Sequence, residues 1–176
     1  MSTTNWSVDP THSEVGFKVK HMMFTNVSGK FDTFEANAVT DGEQFENAQI
    51  SFSANADSVN TGNADRDKHL VGGDFFDAEQ FPKLEFKSTS FQKKGEDNYE
   101  MKGDLTLHGV TKNIALDVEY GGIGKDPWGN LKAGFTISGK FNRKDFGLNW
   151  NAALEAGGVL VSDEVRLNAD IQMVKQ

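Results

Sequence analysis

The residues of this chain with chemistry to offer are four histidines and one dense ionisable run. His12, His21, His69 and His108 are scattered along the sequence. No two stand at i, i+2, which would put two ligands on one strand face, or at i, i+4, which would do so on a helix. A metal or redox site would have to be assembled across the fold from His12, His21 and His69. Isolated histidines more often serve as hydrogen-bonded structural groups. His108 falls in a turn and is expected to reach solvent. Asp65-Arg66-Asp67-Lys68-His69 allows two readings. As a polar collar at a pocket mouth, Arg66 and His69 would meet the head group of a ligand, the guanidinium fork matching two oxygens. As plain scaffold, Asp65 and Asp67 would cap a helix and neutralise Arg66.

Signatures of catalysis are missing. There is no Gly-x-Ser-x-Gly elbow. No Gly-x-x-x-x-Gly-Lys cradle occurs, and no Gly-x-Gly-x-x-Gly follows a strand. The carboxylates are dispersed, with no spacing that marks an acid/base pair. The chain has no cysteine, so disulfides, thiolate ligands and thiol nucleophiles are excluded. The expectation is a protein without catalytic residues, metal or cofactor, a binder rather than an enzyme.

The elements that would position a binding site are strands. Val15, Phe17 and Val19 alternate with polar neighbours. So do Ala48, Ile50, Phe52, Ala54 and Ala56, and then Tyr99, Met101, Gly103, Leu105 and Leu107. Ile114 to Tyr120, Leu131 to Phe141 and Val165 to Met173 repeat the pattern. Val27 to Val39 fits with a phase slip near Phe34, read as a bulge, and Lys83 to Phe91 is opened by Pro82. That makes about eight strands, each with one apolar face. His108-Gly109 reads as a tight hairpin, 94–98 as a polar turn and 121–130 as a longer one. Short turns between sequential strands imply an antiparallel meander, and closure into a barrel removes its edges. The fold expected is all-β: one eight-stranded antiparallel barrel spanning 1–176, with a short helical segment around 64–71.

Two stretches break the alternation. From Asp57 to Pro82 the chain makes a long excursion that includes Phe75 and Phe76. It suits either a plug closing one barrel end or a functional lid. From Asn142 to Ser162, with Arg143, Trp150 and Gly157-Gly158, the chain reads as a crossover loop.

A chain of 176 residues suits one domain, which buries about 70 % of its unfolded surface. Fourteen residues are Phe, an unusual share of the apolar 37 %. Phe17, Phe31, Phe52, Phe86, Phe135 and Phe141 lie on the apolar rows beside Gly29, Ala54, Ala133 and Gly139. Such rows either fill a barrel or line a slot within it. The net charge of −8 makes nucleic acid a poor partner and disfavours anionic membrane surfaces. No run approaches the roughly 20 apolar residues of a membrane span. The opening residues lack a basic start followed by an apolar run, which gives the expectation of a cytoplasmic protein.

Longer motifs carry a resemblance. Trp6-Ser-Val-Asp9-Pro-Thr-His12-Ser13-Glu-Val-Gly-Phe17 and Val27-Ser-Gly29-Lys-Phe31 open it. Arg66-Asp67-Lys-His69-Leu70, Asp74-Phe75-Phe76-Asp77 and Phe81-Pro82-Lys-Leu-Glu-Phe86 continue it, then Leu107-His108-Gly109-Val-Thr-Lys112, Arg143-Lys-Asp145-Phe146-Gly147 and Val161-Ser-Asp163-Glu-Val165. In this order they resemble YceI-like proteins along nearly the whole chain. The resemblance implies a lipocalin-like barrel with a long apolar channel, a polyisoprenoid or other long-chain lipid as ligand, and a homodimer. It includes exported members, whose signal this sequence lacks.

The candidate wall is therefore Phe17, Val19, Phe31, Phe52, Phe75, Phe86, Leu105, Phe135, Ile137 and Phe141. Arg66 and His69 are the candidates for the polar head, with His12 and Arg143 as further contacts. The alternatives are a structural or stress-related interaction module with a filled barrel, and an enzyme built on His12, His21 and His69.

Overall fold

The computed structural model describes residues 2–151 and 160–176. Alternation becomes strand at every row expected. The strands are β1 (Thr3–Val8), β2 (Glu14–His21), β3 (Thr25–Phe31), β4 (Phe34–Asp41), β5 (Gln44–Asn55) and β6 (Val59–Asn60). After helix α1 (Ala64–Val71) come β7 (Lys83–Lys93), β8 (Asn98–Leu107), β9 (Val110–Lys125), β10 (Leu131–Asn142) and β11 (Val161–Lys175). Gly157-Gly158, within the expected crossover, lies outside the described residues.

All pairings are antiparallel, and the sheet closes where β1 meets both β4 and β11. Eight staves result, because three of them are interrupted strands. β1 and β2 run end to end along one side of β11, pairing Val8 with Met173 and then Glu14 with Asp170. β3 and β4 form the next stave, broken at Asp32-Thr33 where the sequence shows its phase slip. β5 and β6 form the third, pairing with β4 and β3 in turn.

The break between β1 and β2 is stitched to β11. Asp9 N–H donates to the Gln172 carbonyl at 2.8 Å, and Gln172 N–H donates to Ser13 Oγ at 2.9 Å. Asp9 is the knot of this break. Its carboxylate accepts from Thr11 N–H and Oγ1–H, lies 2.9 Å from His12 Nδ1 and accepts from Lys132 Nζ at 2.8 Å. Lys132 also reaches Asp126, 3.7 Å away in the β9–β10 turn.

Several local readings change. Gly121-Gly122 is not a turn but a bulge inside β9. Phe135 pairs with Tyr120 and Gly134 with Gly122, leaving Gly121 extra, and Gly122 takes a φ of 120° that a side chain would resist. The turn is only Asp126–Asn130, closed on the Asp126 carboxylate. Asn47, at φ 64°, inserts a residue so that Phe45 and Ala48 both face inward. β1 adds a stave half that sequence alternation did not mark, because its inward residues begin with a buried Thr4.

The lower end of the barrel is shut by rings. Phe45 lies 5.1 Å from Trp6, 4.8 Å from Phe135 and 5.8 Å from Tyr120. Trp6 is 1 % exposed, and its indole N–H donates to Thr40 Oγ1 at 2.8 Å. Among the described residues no buried side-chain polar atom lacks a partner.

Two expectations follow. Trp6→Ala opens a void and removes the indole donor from Thr40 Oγ1, which keeps its bond to the Gly42 carbonyl, costing about 3–5 kcal/mol in urea unfolding. The second concerns acid. Lys132 first, then Thr11, holds the Asp9 carboxyl far below its ordinary 3.8, and Asp9 in return raises Lys132 above 10.5. The depressed carboxyl contributes stability above pH 3.8 that is lost as pH falls further; the raised lysine contributes below pH 10.5. Asp9→Asn should lower the urea midpoint at neutral pH and lose less on going below pH 3.8 than the parent does. Parallel midpoint-against-pH curves would contradict this.

Candidate functional site

The inward faces of the staves do not meet in the middle. They enclose a cavity of about 560 Å³ with an almost wholly apolar lining. That size suits a small-molecule pocket rather than a packing defect.

Three glycines explain the room. A Cβ on Gly29 would sit 2.4 Å from the Phe17 ring, and on Gly103 2.3 Å from the Phe86 ring. On Gly139 it would meet Leu116 at 2.3 Å. Each large side chain therefore lies flat on a glycine of the neighbouring stave and pads the wall instead of crossing the lumen. The adjacent rows continue the padding: Phe31 stands 5.7 Å from Phe17, and Phe34 stands 6.4 Å from Phe52.

The upper end is built from the two irregular stretches. α1 is capped by Asn63, whose side chain accepts from Arg66 N–H, not by Asp65 or Asp67 as the scaffold reading expected. Asp67 instead accepts from Thr61 N–H and Oγ1–H, which fixes the helix to the end of β6. Arg66 donates from Nε to Thr61 Oγ1 at 2.7 Å and from Nη2 to the Thr61 carbonyl at 2.9 Å. It lines the cavity half-buried, with no ion pair to either aspartate among the described residues.

Phe75 and Phe76 sit at the upper end, as the plug reading expects. Phe76 packs on Phe31 at 5.8 Å, and Phe75 packs on Trp150 at 5.3 Å, so they plug the end and line the cavity at once. His69 joins this cluster, 5.0 Å from Phe75 and 4.9 Å from Trp150, with Nε2 3.0 Å from Asp74. Lys20, Asp65 and His69 line the cavity and reach solvent, so among the described residues it opens here, between α1 and the β2–β3 hairpin.

Arg143 lines the cavity but is otherwise occupied. It is 2 % exposed and donates to the carbonyls of Leu148, Trp150, Ser162 and Val161 at 2.6–3.3 Å. Burial pushes its guanidinium below the ordinary value while Asp163 opposes the shift. Its donors hold the two ends of the crossover, so most of the guanidinium is engaged with the scaffold. His12 is a correction: it sits on the outer surface against Asp9 and does not line the cavity. His108 is half-buried rather than solvent-facing. It stacks on Phe81 at 5.0 Å, with Nδ1 3.1 Å from the Phe146 carbonyl.

Every candidate wall residue lines the cavity: Phe17, Val19, Phe31, Phe52, Phe75, Phe86, Leu105, Phe135, Ile137 and Phe141. Arg66 and His69 stand with them at the open end. Ile50, Met101, Leu116, Val118 and Leu167 also contribute. They sit on the same alternating rows, so the signal was present and only the choice of rings passed over them. Trp150 and Leu160 lie in irregular chain, where no periodicity could mark them. His12, His21 and His69 do not converge, and among the described residues no three His, Cys, Asp or Glu side chains gather as a metal site.

A family model described as YceI-like domain matches residues 6–173. A UPF0312 protein of Staphylococcus aureus is 35 % identical over 170 residues, covering 96 % of each chain. The Campylobacter jejuni YCEI protein superposes with a TM-score of 0.78 at 34 % identity, again over 96 % of each. A polyisoprenoid binding domain from Saccharophagus degradans shares the fold at 17 % identity, with a TM-score of 0.69 over 97 % of this chain and 98 % of that one.

The glycine-padded wall gives a direct test. Gly29→Ala pushes the Phe17 ring off the wall and into the lumen. The barrel should still fold, by circular dichroism, while affinity for a fluorescent long-chain fatty acid falls about ten-fold, or 1.4 kcal/mol. Unchanged affinity would mean that the wall position of Phe17 does not set the lumen.

Proposed function

The chain belongs to the YceI-like family, and we propose that its barrel holds one long apolar ligand, a polyisoprenoid or long acyl lipid, as a carrier or store rather than as an enzyme. The observation that carries this reading is the cavity of about 560 Å³, walled by Phe and aliphatic side chains, with exposed polar residues at its α1 end. Water in such a space finds few partners, and an apolar chain displacing it gains roughly 25 cal/mol per Å² removed from water, before the costs of association. The polyisoprenoid class is supported by the resemblance along the chain and by the named ligand of the Saccharophagus degradans domain.

The polar groups are arranged for orientation. Arg66 and His69 stand at the mouth, where a head group would stay wet. The closed end offers rings, and burial raises the Tyr120 phenol above its ordinary value, so that it stays protonated. A lipid would therefore enter tail first. The filled-barrel module, with its Phe rows as simple core, is disfavoured by the lumen of about 560 Å³. Assembly as a homodimer, which the resemblance implies, belongs to the proposal and is compatible with a cavity contained in one chain.

Native mass spectrometry of protein from its own host, followed by organic extraction, tests this. The expected result is one extra mass per chain that extracts as a polyprenyl or long acyl species, with the dimer read from the same spectrum. A bare mass that stays bare after incubation with such lipids would overturn the carrier reading. Phe52→Asp places a charge on the wall and should abolish retention of the extracted lipid; normal loading would place the ligand elsewhere.

A further inference from the structure

We propose that the tip of the β2–β3 hairpin, Met22-Met23-Phe24, docks the mouth of the barrel on membranes that carry anionic lipid. The inference rests on the lipid-binding reading above and adds to it the surface from which ligand would be loaded.

The tip is apolar and exposed among the described residues. Met22, Met23 and Phe24 are 37 %, 52 % and 81 % exposed. Phe24 N–H donates to the His21 carbonyl, and Met22 and Met23 take φ of 53° and 63°. A turn of this kind favours Asn and Gly, so two methionines accept backbone strain in order to present their side chains to solvent. The same hairpin's inner face, through Val19, His21 and Val27, lines the cavity up to the tip. The tip thus projects from the rim of the opening.

The charge around it is opposite to that of the chain. Residues 15–31 hold Lys18, Lys20, His21 and Lys30 and no carboxylate, in a protein of net charge −8. Lys18 is in register with Arg166, and Arg166 with Lys140, a cationic row across three neighbouring strands. Among the described residues the acids beside this row are engaged: Glu164 with Lys140 and Arg166, Asp163 with Lys144. Lys30 lies 4.0 Å from Asp32, whereas Lys18 and Lys20 make no ion pair among the described residues. On the other side of the mouth, α1 and the turn after it carry Asp65, Asp67, Asp74 and Asp77 against Arg66, Lys68 and His69. An anionic surface would attract the hairpin side and repel the α1 side, which sets a tilt. Local charge thereby reverses the expectation drawn from net charge alone.

A bilayer fits better than a protein partner. A stable protein interface needs about 800 Å² on each side. Three side chains on a two-residue turn cannot supply that, but they can enter the headgroup boundary of a bilayer while lysines meet its charge. Contact of this kind is peripheral and reversible.

The test uses flotation with phosphatidylcholine vesicles, with and without phosphatidylglycerol, and uptake of a dansyl-labelled polyprenol from those vesicles. The parent should float with the phosphatidylglycerol vesicles and be released by salt. The double variant Met23→Ser/Phe24→Ser should stay in solution and take up the probe about ten-fold more slowly. Its equilibrium affinity for probe added from ethanol should be unchanged, which also reports an intact barrel. Lys18→Glu/Lys20→Glu should lose the preference for phosphatidylglycerol. Flotation and uptake of Met23→Ser/Phe24→Ser at parental levels would overturn the docking surface. A change in its sedimenting mass, with no vesicle binding by the parent, would assign the tip to a second copy of the chain and overturn it equally. Failure of both proteins to bind the probe from ethanol would defeat the lipid-binding reading instead, while flotation would still decide the docking.

Discussion

A barrel of eight hydrogen-bonded staves has a fixed girth, so whether it is solid or hollow depends on how its large side chains lie. Here the deciding contacts are ring or isobutyl group on glycine: Phe17 on Gly29, Phe86 on Gly103, Leu116 on Gly139. Each pairing takes a side chain that would reach the axis and lays it along the wall. The apolar area that would have made a core becomes the lining of a chamber, and the stability lost from the centre is partly recovered by ring packing within the wall and at the closed end. The remaining features, a shut floor and a plugged but open top, matter only because this lumen exists.

The top shows how a barrel positions polar groups without burying any of them unpaired. Irregular chain exposes carbonyls, and Arg143 collects those of Leu148, Trp150, Val161 and Ser162 in one planar fork. Thr61 is held by Asp67 and holds Arg66, so a residue after β6 sets the orientation of the guanidinium at the mouth. The two arginines near the cavity thus differ in kind. One is spent on the scaffold, and the other lines the cavity with only Nε and Nη2 bonded, both to Thr61, among the described residues.

Much of this was legible in the sequence, and the limit is physical. Alternation reports which face of a strand is apolar, and Val15 to Val19, Tyr99 to Leu107 and Val165 to Met173 took the faces it indicates. The helix at 64–71 was legible for a similar reason. The strand-borne residues that line the cavity followed from their rows, whereas Phe75, in the irregular excursion, had no row to mark it. What escaped depends on partners distant in sequence. His12 lies in the same motif as Asp9, yet only the fold reveals that Lys132 makes that motif a strand splice. Nothing local tells whether an arginine meets a ligand or the backbone of four neighbours; Arg143 and Arg66 look alike until their acceptors are placed. Gly121-Gly122 reads as a turn because glycine marks turns and bulges with the same letters.

The pairing of β1 with β11 has a consequence for how the protein comes into being. The first and last staves are neighbours, so the wall cannot close while β11 is still being synthesised. Until then a curved sheet stands with two open edges and an apolar inner face turned to water, the state most prone to join its neighbours. Closing the wall and creating the chamber are one event, completed by the final stave. A lipid present at that moment would cover the exposed lining before the seam is sealed, and the ligand would then act on assembly as well as on the finished protein.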